Sequence, residues 1–196
     1  MWYRLRDLIC ASMGLLLLSP LLLLIMLALW VSQGQVFFTQ WRTGREEKSF
    51  LLIKFSTLRP LGPGEKVGED EHLRLTSVGK YVRRFSLDEL PQLWNVIRGD
   101  MTLVGPRPLL PEYLPLYQPE DRIRHQVKPG ITGWAQIHGR NLLSFRERFV
   151  LDRWYVENRN FWLDLRIIWK TFFRLAPSQE AELEQQLFSP KFNGKN

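Results

Sequence analysis

Asp88 and Glu89 are adjacent carboxylates inside the stretch FSLDELPQLWNVIRGDMTLVGPRP, residues 85–108. Arg83, Arg84, Arg98 and Arg107 lie close to them along the chain. An ionised carboxylate among arginines suits phosphate chemistry, because guanidinium groups neutralise phosphate oxygens that would otherwise repel it. A plainer reading stands beside this one. Ser86 and Glu89 have the S-x-x-E spacing of a capping box, Pro91 suits a first helical turn, and Gly99 can close that helix after Arg98. Asp88 would then complement the helix dipole, which holds it ionised. Spacing alone leaves the two readings level.

Several elements must bring cations to that pair. Residues 36–40 and 50–55 are β-prone and flank a polar turn around Thr43-Gly44, the pattern of a hairpin whose second strand delivers Lys54, Thr57 and Arg59 into the next loop. Residues 61–72 mix glycine, proline and acidic side chains without periodicity, which predicts a mobile loop. Thr76 opens a helix through Tyr81 and Arg84. Pro106, Pro108, Pro111, Pro115 and Pro119 exclude one long helix over the following stretch, leaving a short helix over 120–126. The segment KPGITGWAQIHGRN, residues 128–141, carries too much glycine for a regular element. It reads either as a buried loop plugged by Trp134 or as a binding loop offering Arg140 and His138. Ser144 and Glu147 repeat the capping-box spacing and start a helix to about Glu157. Phe161, Trp162, Leu165, Ile168, Trp169, Phe172 and Phe173 then recur at helical spacing, with Asp164, Arg166, Lys170 and Arg174 opposite. Such a face fits core packing and fits a helix lying on a membrane surface.

Residues 13–31 form an apolar run about long enough to cross a bilayer, where a straight helix needs roughly 20 residues. Pro20 cannot donate to the Leu16 carbonyl, so a bend is expected at Ser19-Pro20, with the Ser19 hydroxyl bonding back. A kinked span, a re-entrant helix and a signal peptide all follow from this. No convincing small-residue cleavage site supports the last. Arg4 and Arg6 precede the run while Arg42, Arg45, Lys48 and Lys54 follow it, and the positive-inside rule then places both ends in the cytoplasm. The re-entrant form is the expectation. The domain reading is a membrane anchor over 1–33, a catalytic domain over 34–176 and a dispensable polar tail over 177–196; the fold class is mainly α with a small β-hairpin.

Composition narrows the partners. With 196 residues the chain fits one modest domain plus its anchor, and a net charge of +7 favours anionic ligands. One cysteine, Cys10, excludes an intramolecular disulfide. His72, His125 and His138 are scattered, so no histidine-cysteine metal constellation is present. No glycine-rich nucleotide loop and no nucleic-acid-reading motif occurs, so nucleic acid is not an expected partner. Eight tryptophans and 12 phenylalanines in so basic a chain favour a water-membrane boundary.

The motifs KFSTLR, LTSVGKYVRRFSLDELPQLWNVIRGDMTLVGPRP, KPGITGWAQIHGRN and WYVENRNFWLDLRIIWKT, in that order behind the Ser19-Pro20 anchor, resemble the small monotopic phosphoglycosyl transferases. These belong to the bacterial sugar transferase family that begins polyprenol-linked glycan assembly. The resemblance implies transfer of a sugar 1-phosphate from a UDP-sugar to polyprenol (undecaprenyl) phosphate with release of UMP, at the cytoplasmic face of the bacterial inner membrane. It implies a re-entrant anchor bent at Ser19 and Pro20, with both termini cytoplasmic. It also makes Asp88 the nucleophile that forms an aspartyl phosphosugar, and gives Glu89, with Asp88, to a Mg²⁺ ion. Lys54, Arg107 and Arg140 match basic positions of the family motifs; Arg84 joins them by proximity. Bacterial inner-membrane lipids are the expected surroundings, with a homodimer and downstream glycosyltransferases as protein partners to test. Two departures stand out: Ser56 sits where the family pattern has a basic residue, with Arg59 as its candidate substitute, and Thr102 replaces a common serine. Two other readings compete, an inactive membrane-bound adaptor and an ordinary glycosyltransferase that releases UDP. The nucleotide product separates all three.

Overall fold

The computed structural model describes residues 2–62, 71–139, 142–173 and 192–194. Its longest element is helix α1, Trp2–Gln33, with Pro20 inside it. Pro20 leaves the carbonyl of Leu16 without its helical donor, and the Ser19 hydroxyl donates to that carbonyl at 2.7 Å. Asp7, Ala11, Ile25 and Leu29 are buried, while Leu16, Leu17, Leu23, Leu24 and Trp30 are exposed. One narrow stripe of α1 therefore packs on the protein and the remainder presents hydrocarbon outward. By length and composition α1 could cross a membrane.

Strands β1, Phe37–Thr43, and β2, Ser49–Phe55, form the expected antiparallel hairpin, paired from Phe37 with Phe55 to Thr43 with Ser49. The pairing reaches three residues beyond the expected first strand, and a 3-10 turn at Arg45–Glu47 closes it. Helices α2, Glu71–Arg74, α3, Ser77–Arg84, and α4, Gln92–Arg98, follow. Thr76 caps α3 by accepting from the Gly79 amide, and Gly99 ends α4 with φ 94°. Of the loop expected over 61–72, residues 63–70 lie outside the described residues; its last two begin α2.

Ala11 of α1 packs with Phe50, Leu52, Val96 and Met101, and Ile25 and Leu29 pack with Phe55 and Val82. The two halves of α1 thus rest on one continuous body. At one end the Arg4 guanidinium donates to the Val96 and Ile97 carbonyls in the last turn of α4, where a cation meets the negative end of the dipole. At the other end Gln33 donates to the Ser56 carbonyl at 2.7 Å.

The glycine-rich segment corrects the sequence expectation. It forms strand β4, Gly130–Thr132, parallel to β3, Thr102–Val104, and then helix α5, Trp134–His138. Its glycines serve close approach: a Cβ on Gly130 would lie 2.0 Å from the Gly105 amide nitrogen, and one on Gly105 would lie 2.5 Å from the Lys128 carbonyl oxygen. Trp134 stacks on Trp154 with centroids 4.6 Å apart. Before this segment, the helix expected over 120–126 is a 3-10 run, Pro119–Gln126.

Helix α6, Phe145–Asn158, carries the expected capping box: the Glu147 amide donates to Ser144 Oγ, and Glu147 Oε2 accepts from the Ser144 amide at 2.8 Å. Helix α7, Phe161–Phe173, buries Leu163, Asp164 and Ile167 and leaves Phe161, Trp162, Leu165, Trp169, Phe172 and Phe173 exposed. Asp164 lies opposite the aromatic stripe, as its spacing implies, but that side faces the protein and not water. It is fully buried, accepting from Tyr155 OH at 2.7 Å and paired with Arg6 at 2.6 Å, because two donors replace its lost hydration. The described part of the tail is packed on the protein. Phe192 is buried against Tyr113, Tyr117, Phe145 and Phe149, which gives this end of the chain a packing role.

Candidate active site

Lys54 owes its position to strand alternation. Phe50, Leu52 and Lys54 share one face of β2, so the ammonium continues the inward row at the end of the strand. Asp88 and Glu89 sit on a 3-10 turn, Leu87–Glu89, between α3 and α4. Ser86 adopts a left-handed conformation, φ 55° and ψ 23°, without a side-chain capping bond. The expected capping box at Ser86 and Glu89 therefore does not form. The turn sends Leu87 into the cluster around Ile25, Leu29 and Phe55 and leaves the two carboxylates beside Lys54.

Glu89 Oε1 accepts from Lys54 Nζ at 2.9 Å and from Arg107 Nη2 at 2.6 Å. Asp88 Oδ2 lies 3.8 Å from Lys54 Nζ, an ion pair beyond hydrogen-bond length. One lysine thus bridges both carboxylates and holds Glu89 more closely. Burial pushes Glu89 up, but Arg107 and Lys54 outweigh it and hold that carboxyl well below the ordinary range. For Asp88 the balance reverses: burial dominates over the pull of Lys54, and the neighbouring Glu89 charge adds to the rise. The helix dipole expected to hold Asp88 ionised has a minor part, since α4 begins only at Gln92. Glu89 in turn keeps the Arg107 guanidinium firmly charged.

Of the paired arginines ending α3, Arg83 turns inward, donating to Thr57 Oγ1 at 2.8 Å, and its charge reaches Asp88. Arg84, named from sequence proximity, is exposed. Arg140 lies outside the described residues. His138 Nδ1 is 2.8 Å from the Trp134 carbonyl oxygen, and its ring lies against the Trp134 ring. Ser56, where the resemblance has a basic residue, is buried and donates to the Leu58 carbonyl at 3.0 Å. The Thr102 hydroxyl donates to Asp7 in α1.

The sequence reading counts Arg42 only among the charges flanking the apolar run and does not place it at the site. Arg42 pairs in register with the buried Phe50 and so shares the inward face of the hairpin, a position that alternation from Phe50 would have indicated. Burial, with Arg107 adding repulsion, lowers its guanidinium to about 10, and its Nε is buried without a hydrogen-bond partner. Arg42, Lys54, Arg83 and Arg107 therefore gather positive charge around two carboxylates. That arrangement can bind an anionic ligand while keeping an attacking carboxylate available. Among the described residues there is no cluster of three or more histidine, cysteine or acidic side chains. Asp88 and Glu89 are the adjacent carboxylates at this site that could hold a divalent cation.

Comparison with known proteins identifies the family. A family model described as bacterial sugar transferase matches residues 1–177. The uncharacterized sugar transferase EpsL of Bacillus subtilis is 43% identical over 192 residues, covering 97% of this chain and 95% of that protein. The exopolysaccharide production protein ExoY of Rhizobium meliloti is 40% identical over 185 residues, covering 84% of this chain and 81% of that protein. The UDP-glucose:undecaprenyl-phosphate glucose-1-phosphate transferase of Klebsiella pneumoniae is 40% identical over 182 residues, covering 87% of this chain but only 39% of its own length. With nearly its whole length matched, the chain belongs to the bacterial sugar transferase family.

Proposed function

We propose that this protein transfers a sugar 1-phosphate from a UDP-sugar to undecaprenyl phosphate, in two displacements at Asp88. The observation that carries the reading is the asymmetry of the carboxylate pair: Lys54 and Arg107 both hold Glu89 within hydrogen-bond reach, while Asp88 meets Lys54 only at 3.8 Å. Asp88 Oδ attacks the sugar-bearing phosphorus, the bond from that phosphorus to the bridging oxygen breaks, and UMP leaves with the electron pair. An oxygen of the polyprenol phosphate then attacks the same phosphorus, and the Asp88 carboxylate departs. Splitting the transfer this way lets a soluble donor and a lipid acceptor react in turn at one residue. The names of the Klebsiella pneumoniae relative and of the undecaprenyl-phosphate galactose phosphotransferase of Salmonella typhimurium, 35% identical over 185 residues, support these substrates.

Lys54 and Arg107 screen the diphosphate from the carboxylates, with Arg84 and Arg140 as further substrate contacts. Mg²⁺ would be held by Glu89 and Asp88 and would neutralise diphosphate charge. Burial that raises Asp88 fits such a cation, whose charge favours the ionised form. The protein works at the cytoplasmic face of the inner membrane, with both ends of α1 on that side. What supports this topology is that Arg4 and Gln33, at opposite ends of α1, bind the same catalytic body.

The test is the nucleotide product from a panel of UDP-sugars with undecaprenyl phosphate. UMP is expected; UDP would indicate transfer of the sugar alone, and no turnover would favour an adaptor. Asp88→Asn should lose both turnover and the phosphosugar adduct on the peptide containing residue 88, read by mass spectrometry. Substantial retained activity would remove Asp88 as nucleophile.

A further inference from the structure

Arg107 reaches Glu89 from the turn Gly105-Pro106-Arg107-Pro108, and its side chain is 44% exposed. Such a side chain keeps a fixed geometry only if its backbone is fixed. The turn is tied down at both flanks: Gly130 donates its amide to the Pro106 carbonyl at 3.0 Å, and Thr43 donates its amide to the Leu109 carbonyl at 2.9 Å. At the centre Arg124 Nη2 donates to the carbonyl of Arg107 itself at 2.7 Å.

Arg124 is an unusual group to spend on a backbone carbonyl. It is 4% exposed, and burying a guanidinium is costly unless its donors are satisfied. Two side chains hold its terminal nitrogens, while its Nε is buried without a hydrogen-bond partner. Its Nη2 also donates to Asp152 Oδ2 at 2.8 Å, and its Nη1 donates to Tyr117 OH at 2.9 Å. The Phe149 and Tyr117 rings flank the guanidinium at 5.0 and 5.7 Å from their centroids. Asp152 lies on α6 and is itself 2% exposed, so α6 anchors Arg124 where it meets the Arg107 carbonyl.

We propose that Arg124, clamped by Asp152 and Tyr117, is a positioning residue that fixes the Arg107 turn and so aims the Arg107 guanidinium at Glu89. The proposal rests on the functional reading above, in which Arg107 serves the diphosphate. It assigns Arg124 no contact with substrate. Lysine at position 124 keeps the charge but lacks the planar fork, so it cannot reach the carbonyl, Asp152 and Tyr117 together.

A double-mutant cycle on the full chain in detergent, with undecaprenyl phosphate and the UDP-sugar most active with wild type, tests this. Arg124→Lys and, as the milder variant, Asp152→Asn should lower kcat for UMP release by about tenfold. In the Arg107→Ala background Arg124→Lys should cause no further loss, whereas a purely structural residue would add its own. Losses that multiply, or a wild-type kcat in Arg124→Lys, would overturn the proposal. A second readout needs no turnover: phenylglyoxal labelling of Arg107, quantified on its peptide, should rise severalfold in Arg124→Lys and in Asp152→Asn. Unchanged labelling in both variants would overturn the proposal too. Absence of UMP release by wild type would instead overturn the functional reading and leave the labelling result to decide this one.

Discussion

Lys54 stands 2.9 Å from Glu89 and 3.8 Å from Asp88, and Arg107 bonds to Glu89 alone, so the cations outweigh burial at Glu89 while burial prevails at Asp88. A nucleophilic Asp88 must be ionised, yet burial raises it and Lys54 only partly offsets the rise. For a carboxyl raised in the folded enzyme, the active ionised form is lost as pH falls through that raised value. The acid limb of kcat/KM for UMP release, measured at low Mg²⁺ so that a metal charge at Asp88 does not offset the rise, should therefore lie above about 3.9, the ordinary aspartate value. Lys54→Met removes the main lowering charge and should move the limb further upward as well as reduce the rate. A limb that stays in place in Lys54→Met would mean that the titrating group is not Asp88. Ser56 is instructive at the same scale: its buried hydroxyl, bonded to the Leu58 carbonyl, supplies no charge where the resemblance has a basic residue. Arg42 and Arg83 enter the same electrostatic field from other elements.

The elements that hold these residues depend on close backbone contact. Strands β3 and β4 pair through Thr102 with Gly130 and Val104 with Thr132, and this pairing seats Gly105 directly against Gly130. Gly130→Ala would push a methyl group to 2.0 Å from the Gly105 amide nitrogen, which cannot yield without parting the strands, and to 2.4 Å from the Thr132 carbonyl oxygen, which cannot yield without distorting β4 itself. The expected cost is about 2 kcal/mol or more, read from denaturant unfolding, with loss of UMP release because the Arg107 turn follows Gly105 directly. A near-neutral variant would show that the strands can separate without disturbing the turn. Phe192 makes a comparable argument for the chain's far end. It meets the Phe145, Phe149, Tyr113 and Tyr117 rings at centroid distances of 5.0 to 5.8 Å. Phe192→Ala should cost about 3 kcal/mol, the usual penalty for emptying a buried phenyl site. A change below about 0.5 kcal/mol, typical of surface positions, would make the tail dispensable after all.

Across the whole molecule, exposed hydrocarbon on α1 and the exposed aromatic residues of α7 contrast with a charge-rich site. A soluble protein rarely leaves that much large apolar side chain in water, and lipid is the surrounding that the proposed function requires. Arg4 at the start of α1 and Gln33 at its end bind the same body, so tags placed at either terminus should be reached only from the cytoplasmic side in intact cells. Labelling of the N-terminal tag from the periplasm would establish a crossing helix. Arg6 and Asp7 extend the same bond pattern, pairing with each other and reaching Asp164 of α7 and Thr102 of β3. Charged side chains at the start of an apolar helix are thereby satisfied by the protein.

Local signals were legible without coordinates wherever the physics is local. The hairpin, the caps at Thr76 and Ser144, the stop at Gly99, the apolar run of α1 and the apolar period of α7 depend on neighbours within a few residues, so side-chain type and spacing sufficed. Asp88, Glu89, Lys54 and Arg107 were likewise named from sequence, through motif resemblance and proximity in the chain. Tertiary structure decided what depends on distant partners. It turned Glu89 from a cap at Ser86 to Lys54 and Arg107, and made the glycine-rich segment a strand by bringing it against Gly105. It placed Asp164 between Arg6 and Tyr155, and set Arg124 behind Arg107. The physical reason is the same in each case: a buried charge or a close backbone contact is settled by the group that lies opposite in space, and chain order does not carry that group's identity.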